Sequence, residues 1–198
     1  MAAVRAPAVS GRFYPGTKHE LERTVRELLY GVPPTAVVPA RGAVVPHAGY
    51  LYSGVTAACV FARLDIPPLV VILAPNHTGV CRVPGGASLW EAGAFRTPLG
   101  DVQIDEGFAT LLLDASPHVG TDHDAHEAEH AIEVELPFLQ LLRPDVRIVP
   151  VVLAGDAWPR CRDLGLALAR LVTQWPEPVL LLASSDLNHY APAAVSEQ

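Results

Sequence analysis

Three scarcities narrow what this sequence can do. Cysteine is the first: Cys59, Cys81 and Cys161 are odd in number and in no CxxC spacing. That argues against a disulfide framework and for a reducing, cytoplasmic setting, with each cysteine a small buried apolar side chain. Basic residues are the second. Lysine and arginine total 14 against 21 acidic residues, a net charge of −7, with the acids scattered, so the basic footprint that a phosphate backbone demands is missing and no nucleic acid partner is expected. Long apolar runs are the third. None exceeds six residues, as in 69–74, far short of the roughly 18–20 that span a bilayer. The first fifteen residues contain Arg5 and Arg12 but no continuous apolar segment, so neither membrane insertion nor export is expected. GxGxxG, GxxxxGK[ST] and GxSxG are also missing, which removes nucleotide-binding and serine-hydrolase readings.

What is present is core. Half of the 198 residues are hydrophobic, 18% are charged and the mean hydropathy is +0.26. These values exclude a disordered chain and predict one domain over residues 1–198. The 19 prolines are spread as punctuation rather than gathered in a linker.

The spacing predicts a helix over 18–29, where Thr17 offers a cap, Glu20 follows three residues on, and Leu21, Val25, Leu28 and Leu29 share a face. A short strand over 43–45 breaks at Pro46-His47-Ala48-Gly49-Tyr50, after which Ser53 is positioned to cap a helix over 54–64. The run 69–73 between Pro68 and Pro75 reads as a strand buried on both faces, and it opens into Asn76-His77. A strand over 147–153 ends at Gly155-Asp156 and leads to a helix over 158–174. The last strand, 179–183, opens into Ser184-Ser185-Asp186-Leu187-Asn188-His189. Residues 88–104 read as hairpin strands with turns at Gly93 and Pro98-Leu99-Gly100.

Uniformly apolar strands separated by helices predict an α/β fold: a mixed, mostly parallel sheet with helices on both faces. Ligands of such sheets bind at the carboxyl ends of the strands, and His47, His77 and His189 each follow such an end. His47 and His77, from strand ends expected to be adjacent, read as ligands for Fe, Zn or Cu; the competing reading has each one cap its own loop. Asp186 and His189, three apart, read as an oriented acid/base pair, with an N-cap and a surface histidine as the alternative and Asp186 as an optional further ligand. Tyr50 and Tyr52 flank the first loop as lining for an aromatic substrate or as packing residues. His126-Glu127-Ala128-Glu129-His130 satisfies both HExxH and HxxEH, the pattern of a zinc peptidase. The surrounding stretch is so rich in His, Asp and Glu that short acid and imidazole patterns match by composition, and a solvated helix N-terminus, with Asp122 or Asp124 near its positive end, is the plainer reading. Leu136, Leu139 and Leu142 then predict a helix that Pro137 starts or kinks.

Six stretches, in chain order, resemble the Memo family, also called AmmeMemoRadiSam system protein B. They are Gly11-Arg12-Phe13-Tyr14-Pro15, Pro46-His47-Ala48-Gly49-Tyr50 with Tyr52-Ser53-Gly54, Pro75-Asn76-His77, Thr97-Pro98-Leu99-Gly100, Glu129-His130-Ala131-Ile132-Glu133 with Leu136-Pro137-Phe138, and Ser184-Ser185-Asp186-Leu187-Asn188-His189-Tyr190. The resemblance implies a fold similar to class III extradiol ring-cleaving dioxygenases, with non-haem Fe(II) at the carboxyl edge. It implies His47 and His77 as metal ligands, His189 as the acid/base, and Asp186 and His130 as pocket residues, with Glu129, Tyr50 and Asn76 beside them in the same motifs. It also implies a dioxygenase-like oxidoreductase, acting on a small aromatic molecule or a peptide, or else a non-catalytic component binding radical-SAM and AMMECR1-like proteins. Two departures stand out. Ala131 replaces the serine of the family's EHS triplet. The resemblance also places a cysteine ligand in a segment beyond the SSD-x-x-H motif, whereas this sequence has nine residues after His189 and no cysteine there, so the C-terminal part of the family domain is expected to be missing.

Overall fold

The computed structural model describes residues 3–84, 86–155, 157–189 and 191–196; Asp156 and Tyr190 lie outside the described residues. The strands are β1 Val4–Arg5, β2 Gly42–Val45, β3 Leu69–Pro75, β4 Ala87–Leu89, β5 Ala94–Thr97, β6 Gly100–Ile104, β7 Val119–Thr121, β8 Arg147–Leu153 and β9 Val179–Ser184. They form one sheet in the order β1-β5-β6-β8-β3-β9-β2, with β4 bridging β7 and β8. Only β4 with β8 and β5 with β6 run antiparallel, so the sheet is mixed and mostly parallel, as its apolar strands predict.

The helices are α1 Lys18–Tyr30, α2 Tyr50–Phe61, α3 Glu106–Ala115, α4 Asp124–Glu127, α5 Leu136–Leu142, α6 Trp158–Gln174 and α7 Ala193–Ser196, with a 3₁₀ turn Glu133–Glu135 leading into α5. The β2-α2-β3 crossover moves inward from the edge of the sheet, and β8-α6-β9 moves the opposite way. Right-handed connections therefore put α2 and α6 on opposite faces. Packing agrees: α1, α2 and α5 touch one another, and α3 touches α6. With both faces covered, Leu69, Val70, Val71 and Ile72 of β3 and Ile148, Val149, Val151 and Val152 of β8 are sealed from solvent.

Local chemistry sets the element ends. Thr17 accepts the Glu20 N–H and donates to the Glu20 carboxylate at 2.7 Å, closing the start of α1 as expected. Pro137 lies in the first turn of α5, where its missing N–H costs nothing. The second helix departs from expectation. It begins at Tyr50, not after Ser53, because the Tyr50 N–H donates to Phe13 O at 2.8 Å and Gly49 packs directly on the Phe13 backbone. Ser53 sits inside the first turn and donates to Ala48 O. The three thiols are free, and Cys161, expected to be buried, is exposed near the start of α6. Among the described residues no helix is long and apolar enough to cross a membrane.

Candidate metal centre

The parallel strands β2, β3 and β9 all end on one edge of the sheet. The ends of β2 and β3 are not adjacent: β9 pairs with both and lies between them. Its last residue, Ser184, is in register with Val45, so the loops carrying His47 and His77 flank the end of β9. A third imidazole, His130, arrives from the segment between α4 and the 3₁₀ turn. The ring centroids lie 5.1 Å apart for His47 and His77, 5.6 Å for His47 and His130, and 4.5 Å for His77 and His130. One ring nitrogen from each falls within 4.8 Å of the others. Nitrogens that share an ion bind it at about 2.0–2.1 Å, so this spread is near the spacing a common ion requires but wider than it. Among the described residues this is the one such cluster of three or more His, Cys, Asp or Glu.

The rings are held from behind. His77 Nδ1 lies 2.9 Å from Glu129 Oε1, and the His77 N–H donates to Oε2 at 2.6 Å. The same carboxylate is 3.3 Å from His130 Nδ1 and accepts the N–H groups of His130 and Ala131. His47 Nδ1 lies 2.9 Å from Ser184 Oγ, while its Nε2 is buried without a hydrogen-bond partner. Burial pushes the His47 imidazole down to about 4 despite the Asp186 carboxylate, and lowers His130 too. Both rings are therefore neutral at pH 7, the form that ligates a metal. Burial disfavours the charge on Glu129, yet the donors from His77 and Ala131 outweigh it and hold the carboxyl below its usual range.

Asp186 accepts the His47 N–H at 2.6 Å through Oδ1. Its Oδ2 lies 3.2 Å from His189 Nε2 and 3.9 Å from His47 Nε2. Asp186 and His189, with Pro46, Ala48, Tyr52, Ser53, Thr56 and Asn188, line a cleft of about 500 Å³. His189 is 59% exposed there.

The family model described as "Memo-like protein" matches residues 5–198. The chain belongs to the Memo family. It is 40% identical over 191 residues to a MEMO1 family protein of Aquifex aeolicus, covering 96% of this chain and 69% of that one. It is 41% identical over 199 residues to one of Thermotoga petrophila, with 94% and 70% covered, and 38% identical over 205 residues to one of Pyrobaculum arsenaticum, with 98% and 72% covered.

Not every expected residue of this Memo-family site lies where the sequence suggests. Tyr50 is a core residue rather than pocket lining: it is buried against Tyr14 and Phe138 and donates to Val134 O at 2.8 Å. Its neighbour Tyr52, 82% exposed, borders the cleft instead. Asn76 spends its amide on its own loop, donating to Val80 O and accepting from Thr78 and Gly79, so it shapes the His77 turn rather than lining a pocket. The HExxH match has no helix beneath it, because α4 ends at Glu127. His126 is buried with Nε2 on Ser88 O at 2.9 Å, so it and His130 present no common zinc site. The stretch does start a short helix with Asp124 in its first turn, as the plainer reading expects, but it is only partly solvated: Asp122, His126 and Glu129 are buried.

Two anchors were not read as such from the sequence, although Glu133, Ala131 and Ser184 lie in the family stretches. Arg5, fully buried, donates to His126 O, to Glu129 O and to the Glu133 carboxylate. Glu133 also accepts from Ala8 N, Val9 N and the Tyr14 hydroxyl. The N-terminal strand thereby pins the segment that presents Glu129 and His130. Ser184, Glu135 and Ala131 O form the second anchor, behind His47.

Proposed function

We propose that His47, His77 and His130 together hold a divalent non-haem metal ion, Fe(II) first with Cu or Zn behind it, in a metal-dependent oxidoreductase related to the extradiol dioxygenases and working in the cytoplasm. The reading extends the pair His47 and His77 by a third ligand from within this chain. The observation that carries it is the buried, unpartnered Nε2 of His47 on a ring whose nearest imidazole neighbours are His77 and His130. A buried lone pair without a donor is costly in an empty protein and is satisfied by a Lewis acid. A bound ion supplies Lewis acidity and a redox partner for the substrate.

The chain's own residues do the rest. Tyr52 offers an aromatic wall for a small aromatic molecule or a peptide side chain in the cleft. Asp186 orients His189, whose exposed imidazole takes or gives a proton at a substrate hydroxyl.

Anaerobic calorimetry with Fe(II) and with Zn(II) tests the centre. Wild type and His126→Ala bind; His47→Ala/His77→Ala does not, and His130→Ala binds at least tenfold more weakly. Loss of binding in His126→Ala alone sinks the proposal. Failure of wild type to bind either ion also sinks it and leaves the cleft as a docking site for a peptide or for a radical-SAM or AMMECR1-like protein.

A further inference from the structure

Ser184 Oγ has three polar neighbours: Ala131 O at 2.7 Å, Glu135 Oε1 at 2.9 Å and His47 Nδ1 at 2.9 Å. A hydroxyl carries one hydrogen and two acceptor lone pairs. Ala131 O can only accept and is the nearest of the three, so the Ser184 hydrogen goes to it. Both lone pairs then remain, and each needs a donor. His47 fills one only if its proton sits on Nδ1, and Glu135 fills the other only as the neutral acid. Glu135 is buried, and burial, helped by the nearby Asp186 carboxylate and only partly opposed by the Ser184 hydrogen bond, pushes its carboxyl well above the usual range, so the neutral acid is the form its surroundings select. With these assignments every hydrogen and lone pair on Ser184 is used, and the one atom left over is His47 Nε2.

We propose that Ser184, backed by Glu135, is the positioning residue that fixes His47 as its Nδ1–H tautomer and so aims the Nε2 lone pair at His77 and His130. The inference deepens the metal-centre reading and rests on it for its purpose, although the tautomer itself is a property of the metal-free protein. It also explains the division of labour behind the triad. A carboxylate orients His77 and His130 from one side, whereas His47 is oriented by a neutral hydroxyl. Ser184 ends β9, in register with Val45 and sealed from solvent between the two loops, which is what brings its hydroxyl behind His47.

The test is long-range ¹H–¹⁵N NMR of the histidines in metal-free, ¹⁵N-labelled protein, paired with Zn(II) calorimetry on the same samples. Wild type shows His47 protonated on Nδ1 and bare on Nε2. Ser184→Ala mixes the two tautomers and weakens zinc at least tenfold. Ser184→Thr keeps the hydroxyl and matches wild type. Glu135→Gln also matches it, because the amide N–H donates to Oγ in place of the acid O–H. Should Ser184→Ala not fold by circular dichroism, Ser184→Cys, a poor acceptor of similar size, takes its place with the same expected mixing. A wild-type proton on Nε2, an unchanged tautomer in Ser184→Ala, or a disturbed one in Glu135→Gln overturns the proposal. If wild type binds no zinc, the metal centre fails while the NMR arm still decides the role of Ser184.

Discussion

One carboxylate carries an unusual share of the site. Glu129 meets the backbone and ring of His77, the ring of His130 and two further N–H groups, all while buried. Replacing it with alanine frees two imidazoles at once, so Zn(II) affinity is expected to fall by about 10- to 100-fold, the range for losing an orienting partner. Calorimetry checks this, with circular dichroism confirming that the sheet survives. At this scale the sequence was readable where a residue's place follows directly from a strand end, as for His47 and His77, whose rings the structure brings together. His130 was visible as part of a motif but not as a third imidazole of the cluster, since its place depends on Arg5 and Glu133 closing contacts more than 120 residues apart. Ser184 was visible as the start of a strand-end loop and of a family stretch but not as a partner of His47, and Glu135 gave no signal. A serine and a glutamate become a tautomer lock only through distances that no spacing rule encodes.

Elements were the most legible level wherever burial was two-sided. Strands β3 and β9 read correctly because an unbroken apolar run between prolines or loops has few other uses, and β8 read correctly from the β-branched residues on either side of Pro150. Their order across the sheet was not legible, and the expected adjacency of β2 and β3 failed because β9 inserts between them. The start of α2 was misplaced for a comparable reason: a local cap at Ser53 loses to the tertiary contact between Gly49 and Phe13. The turn at Gly93 was legible, and the structure adds why it is glycine. With φ near +90°, a side chain there would put a Cβ 1.9 Å from Ala3 O. Gly93→Ala must therefore push β1 off β5 and drag Arg5 from its carbonyls. The expected outcome is a loss of several kcal/mol in urea unfolding, as for combined strain and a broken buried charge network. A change below 1 kcal/mol would contradict that close approach.

For the molecule as a whole, the buried imidazoles set a pH response. Burial pushes His126 from its ordinary 6.5 down to about 4, and His47 likewise. Between those limits the unfolded chain binds protons that the folded chain refuses, so stability rises with pH there and falls as acid is added. Glu129, held below its ordinary 4.5, adds a loss in the same direction at lower pH. Glu135, kept neutral by burial, works against these groups above its ordinary 4.5, because there the folded chain holds a proton that the unfolded chain has released. In chelator-treated protein the urea midpoint should still decline from about pH 6.5 to 4, by less than the two imidazoles alone would give. His126→Asn should flatten that slope by up to one proton's worth, about 1.4 kcal/mol per pH unit. A midpoint indifferent to pH across this interval would mean that these rings are not neutral in the fold. The place of β9 between β2 and β3 has a kinetic consequence as well. It is the ninth strand to be synthesised, yet it separates the second from the third, so those two cannot settle at their final spacing until residues 179–184 have left the ribosome and slid between them. Competence to take up a metal ion should then appear late and all at once during folding, with the imidazoles of 47 and 77 waiting on a strand made more than a hundred residues after them.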